Sequence, residues 1–108
     1  MKSLFTILLL LLLVGCIDKP KNYVCKNTYQ IPDKISLRVE NKKLTFGTAE
    51  FIFCEKRGNS NIYHRDCKKN EYGNYESSLV FDPIIKQLLV IGSGGISPVD
   101  LFNCSYSN

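Results

Sequence analysis

The chain has 108 residues, with fourteen Lys and Arg against ten Asp and Glu, a net charge of +4, one His, five Cys and no Trp. That length accommodates one small domain with a modest core and excludes a multidomain enzyme. The basic residues are scattered, which excludes the dense cationic stripe of a nucleic-acid binder.

Lys2 is the only charge before Asp18, and Leu4 to Val14 form an unbroken, mostly aliphatic run of 11 residues. A positive start, a short apolar core and a small residue at its end are the parts of a secretory signal. A transmembrane helix needs about 20 apolar residues, and Ile17-Asp18-Lys19-Pro20 prevents extension. Leu13-Val14-Gly15-Cys16 resembles the bacterial lipobox. That resemblance implies a diacylglyceryl group on the Cys16 sulfur and cleavage between Gly15 and Cys16. Each buried methylene of such an anchor contributes about 0.8 kcal/mol, so two or three chains hold permanently. The expected organisation is a signal peptide over 1–15, a lipidated tether over 16–22 and one domain over 23–108. Ile17, second in the mature chain, points by resemblance to enterobacterial lipoproteins to the outer membrane, facing the periplasm or the surface.

Removing 1–15 leaves 93 residues, since 108 − 15 = 93, and loss of Lys2 lowers the net charge from +4 to +3. Residues 16–69 carry twelve Lys and Arg and six Asp and Glu, whereas 70–108 carry one Lys and four acids. A basic half of this kind suits anionic headgroups or an acidic partner, although the scatter favours a plain solvated surface. Setting Cys16 aside leaves Cys25, Cys54, Cys67 and Cys104. An even number in a small exported chain argues for disulfides. Of three connectivities, Cys25–Cys104 closing the ends and Cys54–Cys67 closing a local loop are favoured. A metal reading from His64 and Cys67 lacks a Cys-x-x-Cys pair, and an oxidising compartment favours bridges.

In chain order, Tyr23 to Tyr29 is rich in strand formers and is broken by Gln30-Ile-Pro-Asp33. Ile35, Leu37 and Val39 alternate with Ser36, Arg38 and Glu40, the clearest period-two pattern of the chain. Asn41-Lys42 turns that strand into one holding Leu44 and Phe46, ended by Gly47. Ala49–Glu55 and Ile62–Cys67 pair across the turn cluster Arg57-Gly-Asn-Ser-Asn61. Lys68 to Asn74 is a polar loop. Tyr75–Phe81 and Gln87–Ile91 follow as strands joined at Asp82–Lys86, and Gly92-Ser-Gly-Gly95 leads to a last strand, Val99–Cys104. No segment after the leader has a helical face. The predicted fold is all-β: a small antiparallel sandwich or barrel of about seven short strands with two disulfides.

Catalytic sets fail individually. His64 is the only histidine; it could pair with Ser60 or Asp66, but a triad needs a base held by a third group and an exposed nucleophile, and its place inside a predicted strand suits a surface or sheet-face role. Gly92-Ser-Gly-Gly95 lacks the Gly-Lys-Ser/Thr ending of a phosphate loop. Glu50, Glu55, Asp66 and Glu76 are an unremarkable acidic complement. Tyr23, Tyr29, Tyr63, Tyr72 and Tyr75 among Lys and Arg suggest single-strand nucleic-acid stacking, but export and strand packing account for them better. No cofactor, metal, nucleic acid or small-molecule substrate is therefore expected.

Tyr23-Val24-Cys25 at the opening of the domain, the run of hairpins, and Phe102-Asn103-Cys104 near its end resemble the envelope inhibitors of C-type lysozyme. The resemblance implies a small β-barrel lipoprotein or periplasmic protein with its ends tied by a disulfide. That family has a Ser-Gly motif on its inhibitory loop. Ser93-Gly94 is the nearest match, but with different flanking residues, so no inhibitory residue is assigned. The expected function is a non-enzymatic, membrane-anchored protein-binding module: an inhibitor, immunity or accessory factor. The alternative is a structural or assembly lipoprotein docking on an envelope complex.

Overall fold

The computed structural model describes residues 19–28 and 34–107. The lipobox Leu13, Val14, Gly15 and Cys16 lies outside the described residues. Eight strands follow in order: β1 (Lys21–Asn27), β2 (Lys34–Glu40), β3 (Lys43–Phe46), β4 (Ala49–Arg57), β5 (Ser60–His64), β6 (Leu79–Asp82), β7 (Gln87–Ile91) and β8 (Pro98–Tyr106). Each pairs antiparallel with the next, and β1 pairs with β8, so the sheet closes into a barrel. No helix occurs among the described residues, and so none long and apolar enough to cross a membrane.

Period-two patterning builds the barrel. Side chains alternate across a strand, so one set lines the interior. Tyr23, Cys25, Leu37, Leu44, Tyr63, Leu79, Phe81, Leu88 and Phe102 form the buried core, with Ile35, Val39, Phe46, Phe51 and Val90 packed against it. Register matches these positions: Tyr23 lies opposite Leu37, Leu37 opposite Phe46, and Leu88 opposite Phe102. Aromatic edges tie neighbours together. The Tyr23 and Phe81 rings are 5.1 Å apart and those of Phe46 and Phe102 5.2 Å apart, both edge to face. Closure removes the sheet edges that an open sandwich would leave exposed.

Two bridges staple the barrel. Cys25 and Cys104 lie directly opposite each other on β1 and β8 and are bonded across the closing seam. Cys54 and Cys67 are bonded between β4 and the segment after β5.

Several boundaries differ from expectation. The strand count is eight rather than about seven. β1 begins at Lys21, inside the expected tether 16–22, because Lys21 and Asn22 pair with Val39 and Arg38. β8 runs on to Tyr106 because Tyr106 pairs with Tyr23 and stacks on its ring at 5.0 Å. The predicted strand Tyr75–Phe81 begins only at Leu79. Before it, Tyr75 to Ser78 make a turn in which the Ser78 hydroxyl donates to the Tyr75 carbonyl at 3.1 Å and Ser77 has a φ of 52°. The predicted strand Ile62–Cys67 stops at His64, whose ring captures the backbone that follows.

The meander puts three turns at one end, with the chain's entry into β1 and its exit from β8, and four connections at the other. One end holds the incoming chain at Lys19–Lys21, the β2–β3, β4–β5 and β6–β7 turns, and the exit after Tyr106. The other end holds the β1–β2 connection, the β3–β4 turn, the long β5–β6 segment 65–78 and the β7–β8 turn.

Candidate protein-docking site

The β5–β6 segment folds back over the outside of the sheet and is fastened at many points. The His64 ring is its hinge post. The Glu76 carbonyl only accepts, so Nε2, 2.7 Å away, carries the hydrogen and donates to it. Nδ1 then accepts the N–H groups of Cys67 at 3.1 Å and Asp66 at 3.3 Å. With both nitrogens engaged by backbone, the Asp66 carboxylate at 3.0 Å forms an ion pair only when the ring gains a second proton. The Lys68 N–H, 3.0 Å from Asp66, holds that carboxyl below its usual value. His64 is thus a strand-end brace, half-buried rather than a mid-strand surface residue. Ser60 is not its partner; it lies at the opposite end of β5, across from Arg57.

Tyr75 is buried against the outer face of the sheet. Burial pushes its hydroxyl up from the ordinary value, and the Glu55 carboxylate adds to the shift. The Arg57 guanidinium, 3.0 Å from Glu55, holds that carboxyl down, with Tyr75 contributing. The Lys69 ammonium sits 5.3 Å above the Tyr75 ring. Of the expected acids, Glu50 pairs with Lys43 and Glu55 with Arg57 and Lys69, whereas Asp66 and Glu76 line one depression with His64, Asp66 facing its ring and Glu76 accepting from Asn70. Among the described residues, no group of three or more His, Cys, Asp and Glu side chains gathers to hold a metal ion.

The tip of the segment is organised by Asn70. Its side-chain oxygen accepts the N–H groups of Tyr72 and Asn74, both at 3.0 Å. Its amide donates to the Glu76 carboxylate and to the Gly94 carbonyl, both at 3.2 Å. Its backbone closes the turn through Asn70 N–H to Asn74 O at 2.8 Å and Gly73 N–H to Asn70 O at 3.0 Å. The turn presents Tyr72, which is 79% exposed. The bond to Gly94 sets this tip beside the β7–β8 turn, which carries the exposed Ile96. The two loops touch closely at Gly95, where an added Cβ would lie 2.8 Å from the Tyr75 carbonyl oxygen. An aromatic anchor on a fixed loop, flanked by a second apolar side chain, is the chemistry of a protein contact.

The opposite end opens into a cavity of about 360 Å³. Tyr23, Phe53, Tyr63 and Phe81 form its apolar wall, with Lys19, Lys21 and Lys42 also lining it. Burial and the adjacent Tyr106 push the Tyr23 hydroxyl up to about 12. Burial likewise raises that of Tyr63. This is an amphiphilic mouth whose lining also holds Glu40, the acid paired with Arg38.

Among the sequence-derived sites, the structure joins Cys25 to Cys104 and Cys54 to Cys67 as favoured. Tyr23 and Tyr63 pack in the core, Tyr75 packs in a loop rather than on a strand, and Tyr72 is outside. The Asn70 turn was legible only as a polar loop. Its signal was Asn70, Gly73 and Asn74 around a tyrosine, since Asn side chains bond the backbone two residues on.

No protein-family model, curated protein or solved structure matches this chain.

Proposed function

We propose that this chain is a membrane-anchored bacterial envelope lipoprotein, lipidated on Cys16, whose barrel is a non-enzymatic module that binds a protein. The observation that carries the binding reading is Tyr72, 79% exposed on a turn fixed by four Asn70 side-chain hydrogen bonds. A pre-ordered aromatic loses little entropy on contact, which is why such residues anchor interfaces. The anchor reading is supported by Leu13-Val14-Gly15-Cys16 after a short apolar run. The resemblance to lysozyme inhibitors makes a secreted hydrolase the first partner class to try, and Ser93-Gly94 lies on the turn beside Tyr72.

The test is site-specific photo-crosslinking in the intact envelope. A photoreactive phenylalanine at position 72 is expected to give a discrete protein adduct, and the same group at exposed Lys26 none. Absence of an adduct at 72, or the same adducts from both positions, refutes the contact face. Against the captured partner, Tyr72→Ala is expected to weaken binding by about 10- to 100-fold. Asn70→Ala should weaken it in the same direction by loosening the turn.

A further inference from the structure

We infer that the end of the barrel where the chain enters is a bilayer-docking surface. Ile84 and Ile85 enter the interfacial layer, and Lys19, Lys21, Lys42 and Lys86 lie against anionic phosphate headgroups. The inference rests on the anchor proposed at Cys16 and adds to it an orientation and a second point of attachment.

The first observation is the β6–β7 turn. Ile84 is 68% exposed and Ile85 60% exposed, side by side. The turn cannot fold them away. The Asp82 carboxylate accepts the Ile84 N–H at 2.9 Å and the Ile85 N–H at 3.4 Å, and the Lys86 carbonyl accepts the Cys104 N–H at 2.8 Å. Two branched aliphatic side chains held mostly exposed in a turn match the apolar face that interfacial segments sink among acyl chains.

The second observation is charge. Lys19, Lys21, Lys42 and Lys86 make no ion pair among the described residues. Two acids lie at this end: Glu40 pairs with Arg38 at 2.8 Å, and Asp82 keeps its charge while accepting the turn N–H groups, so the four lysines outnumber the one acid without an ion pair. The Lys86 ammonium lies 4.2 Å above the Tyr106 ring, and Tyr106 is itself exposed. Lysine with tyrosine beside aliphatic side chains is the composition of a membrane–water interface.

The third is reach. Lys19 is three residues beyond Cys16 and β1 starts five residues beyond it, spans of at most about 11 Å and 18 Å when extended. A lipid on Cys16 therefore holds Lys19 within roughly one Debye length of the headgroups and the start of β1 within roughly two. The occupant is lipid because the tether leaves little depth for a protein between barrel and bilayer. The Tyr72 turn then points away, which makes the two faces compatible.

The chain lacks Trp, so one introduced indole reports its own surroundings. The acylated, disulfide-bonded full protein carrying Ile84→Trp is reconstituted in phosphatidylcholine vesicles with about one-third phosphatidylglycerol and shallow brominated lipid, a surface that attracts lysines. Tyr72→Trp is the control, and mass spectrometry reports the lipid on Cys16. The Ile84→Trp emission is expected to shift blue and be strongly quenched, with the Tyr72→Trp emission unchanged. Lys42→Glu should lower the quenching in anionic vesicles and leave it unchanged in neutral ones. Acylated protein that floats with vesicles while the Ile84→Trp indole stays unquenched, or while both indoles quench equally, overturns the docking surface and leaves the anchor standing. A Cys16 without lipid overturns the anchor. In that case quenching of the Ile84→Trp indole alone still upholds the docking end, and its absence overturns both.

Discussion

Replacing Cys25 and Cys104 together by alanine removes the covalent closure of the β1–β8 seam. The bridged residues are 79 apart in sequence, against 13 for Cys54 and Cys67. In the chain-entropy treatment, a loop of the first size restricts the unfolded chain by about 4.5 kcal/mol and one of the second by about 3 kcal/mol. Cys25 is fully buried, so alanine there leaves a sulfur-sized void that adds up to about 1 kcal/mol. Cys54 and Cys67 are only half-buried and leave no comparable void. The seam variant is therefore expected to lose about 5 kcal/mol and the local-loop variant about 3. Small domains of this size have only about 5–15 kcal/mol in total. The seam variant should then lie at the margin of folding while the other remains folded. Urea titrations followed by far-ultraviolet circular dichroism measure both, with an osmolyte series to fold the seam variant if its native baseline is lost. Its urea slope should also rise, because an unbridged chain exposes more surface on unfolding. A local-loop variant that loses as much as the seam variant, or a seam variant that loses under about 2 kcal/mol, would refute the reasoning.

Alkaline pH should weaken the fold through Tyr23. Its folded-state value of about 12 lies above the ordinary 10, so the stabilisation is complete below pH 10 and is lost as pH rises to about 12. The loss is on the order of 1 kcal/mol, because solvent at the cavity mouth screens the group, and Tyr63 adds to it in the same direction. Urea midpoints after brief incubation at several alkaline pH values should fall less steeply for Tyr23→Phe, and equal slopes for parent and variant would contradict the assignment. Neighbouring glycines separate two costs. Gly95→Ala meets the Asn74 Cβ at 2.7 Å and the Tyr75 carbonyl at 2.8 Å at a φ of 75°, whereas Gly94→Ala at a φ of 93° meets open space. Thermal unfolding should show about 2–4 kcal/mol lost for Gly95→Ala and about 1 kcal/mol for Gly94→Ala. Equal losses would mean that the two loops are not in close contact.

Where the sequence was readable, it was readable because the information is local. Ile35, Leu37 and Val39 mark a strand without reference to anything distant, and Asn41-Lys42 and Gly58-Asn59 mark the β2–β3 and β4–β5 turns. The disulfide partners followed from counting and from a hairpin that brings Cys54 towards Cys67. The boundaries that failed were those set by a distant partner. Tyr106 belongs to β8 because Tyr23 pairs with it across the seam. Tyr75 looked like the start of a strand because it is aromatic, yet it is buried over the outer face of the sheet beside Glu55.

The sequence alone determined the all-β class, the order of the strands but not all their bounds, and the division of the cysteines between an expected lipid site and two staples. Those properties reside in short-range alternation, turn residues and composition. Only the tertiary structure decided between barrel and sandwich, since closure depends on β1 meeting β8, and no local pattern encodes that pairing. It also converted a polar loop into a braced platform for Tyr72, and a turn holding Ile84 and Ile85 into a protrusion at the end where the chain enters. Exposure is a property of what packs around a residue, and the residues that do so lie far away in sequence.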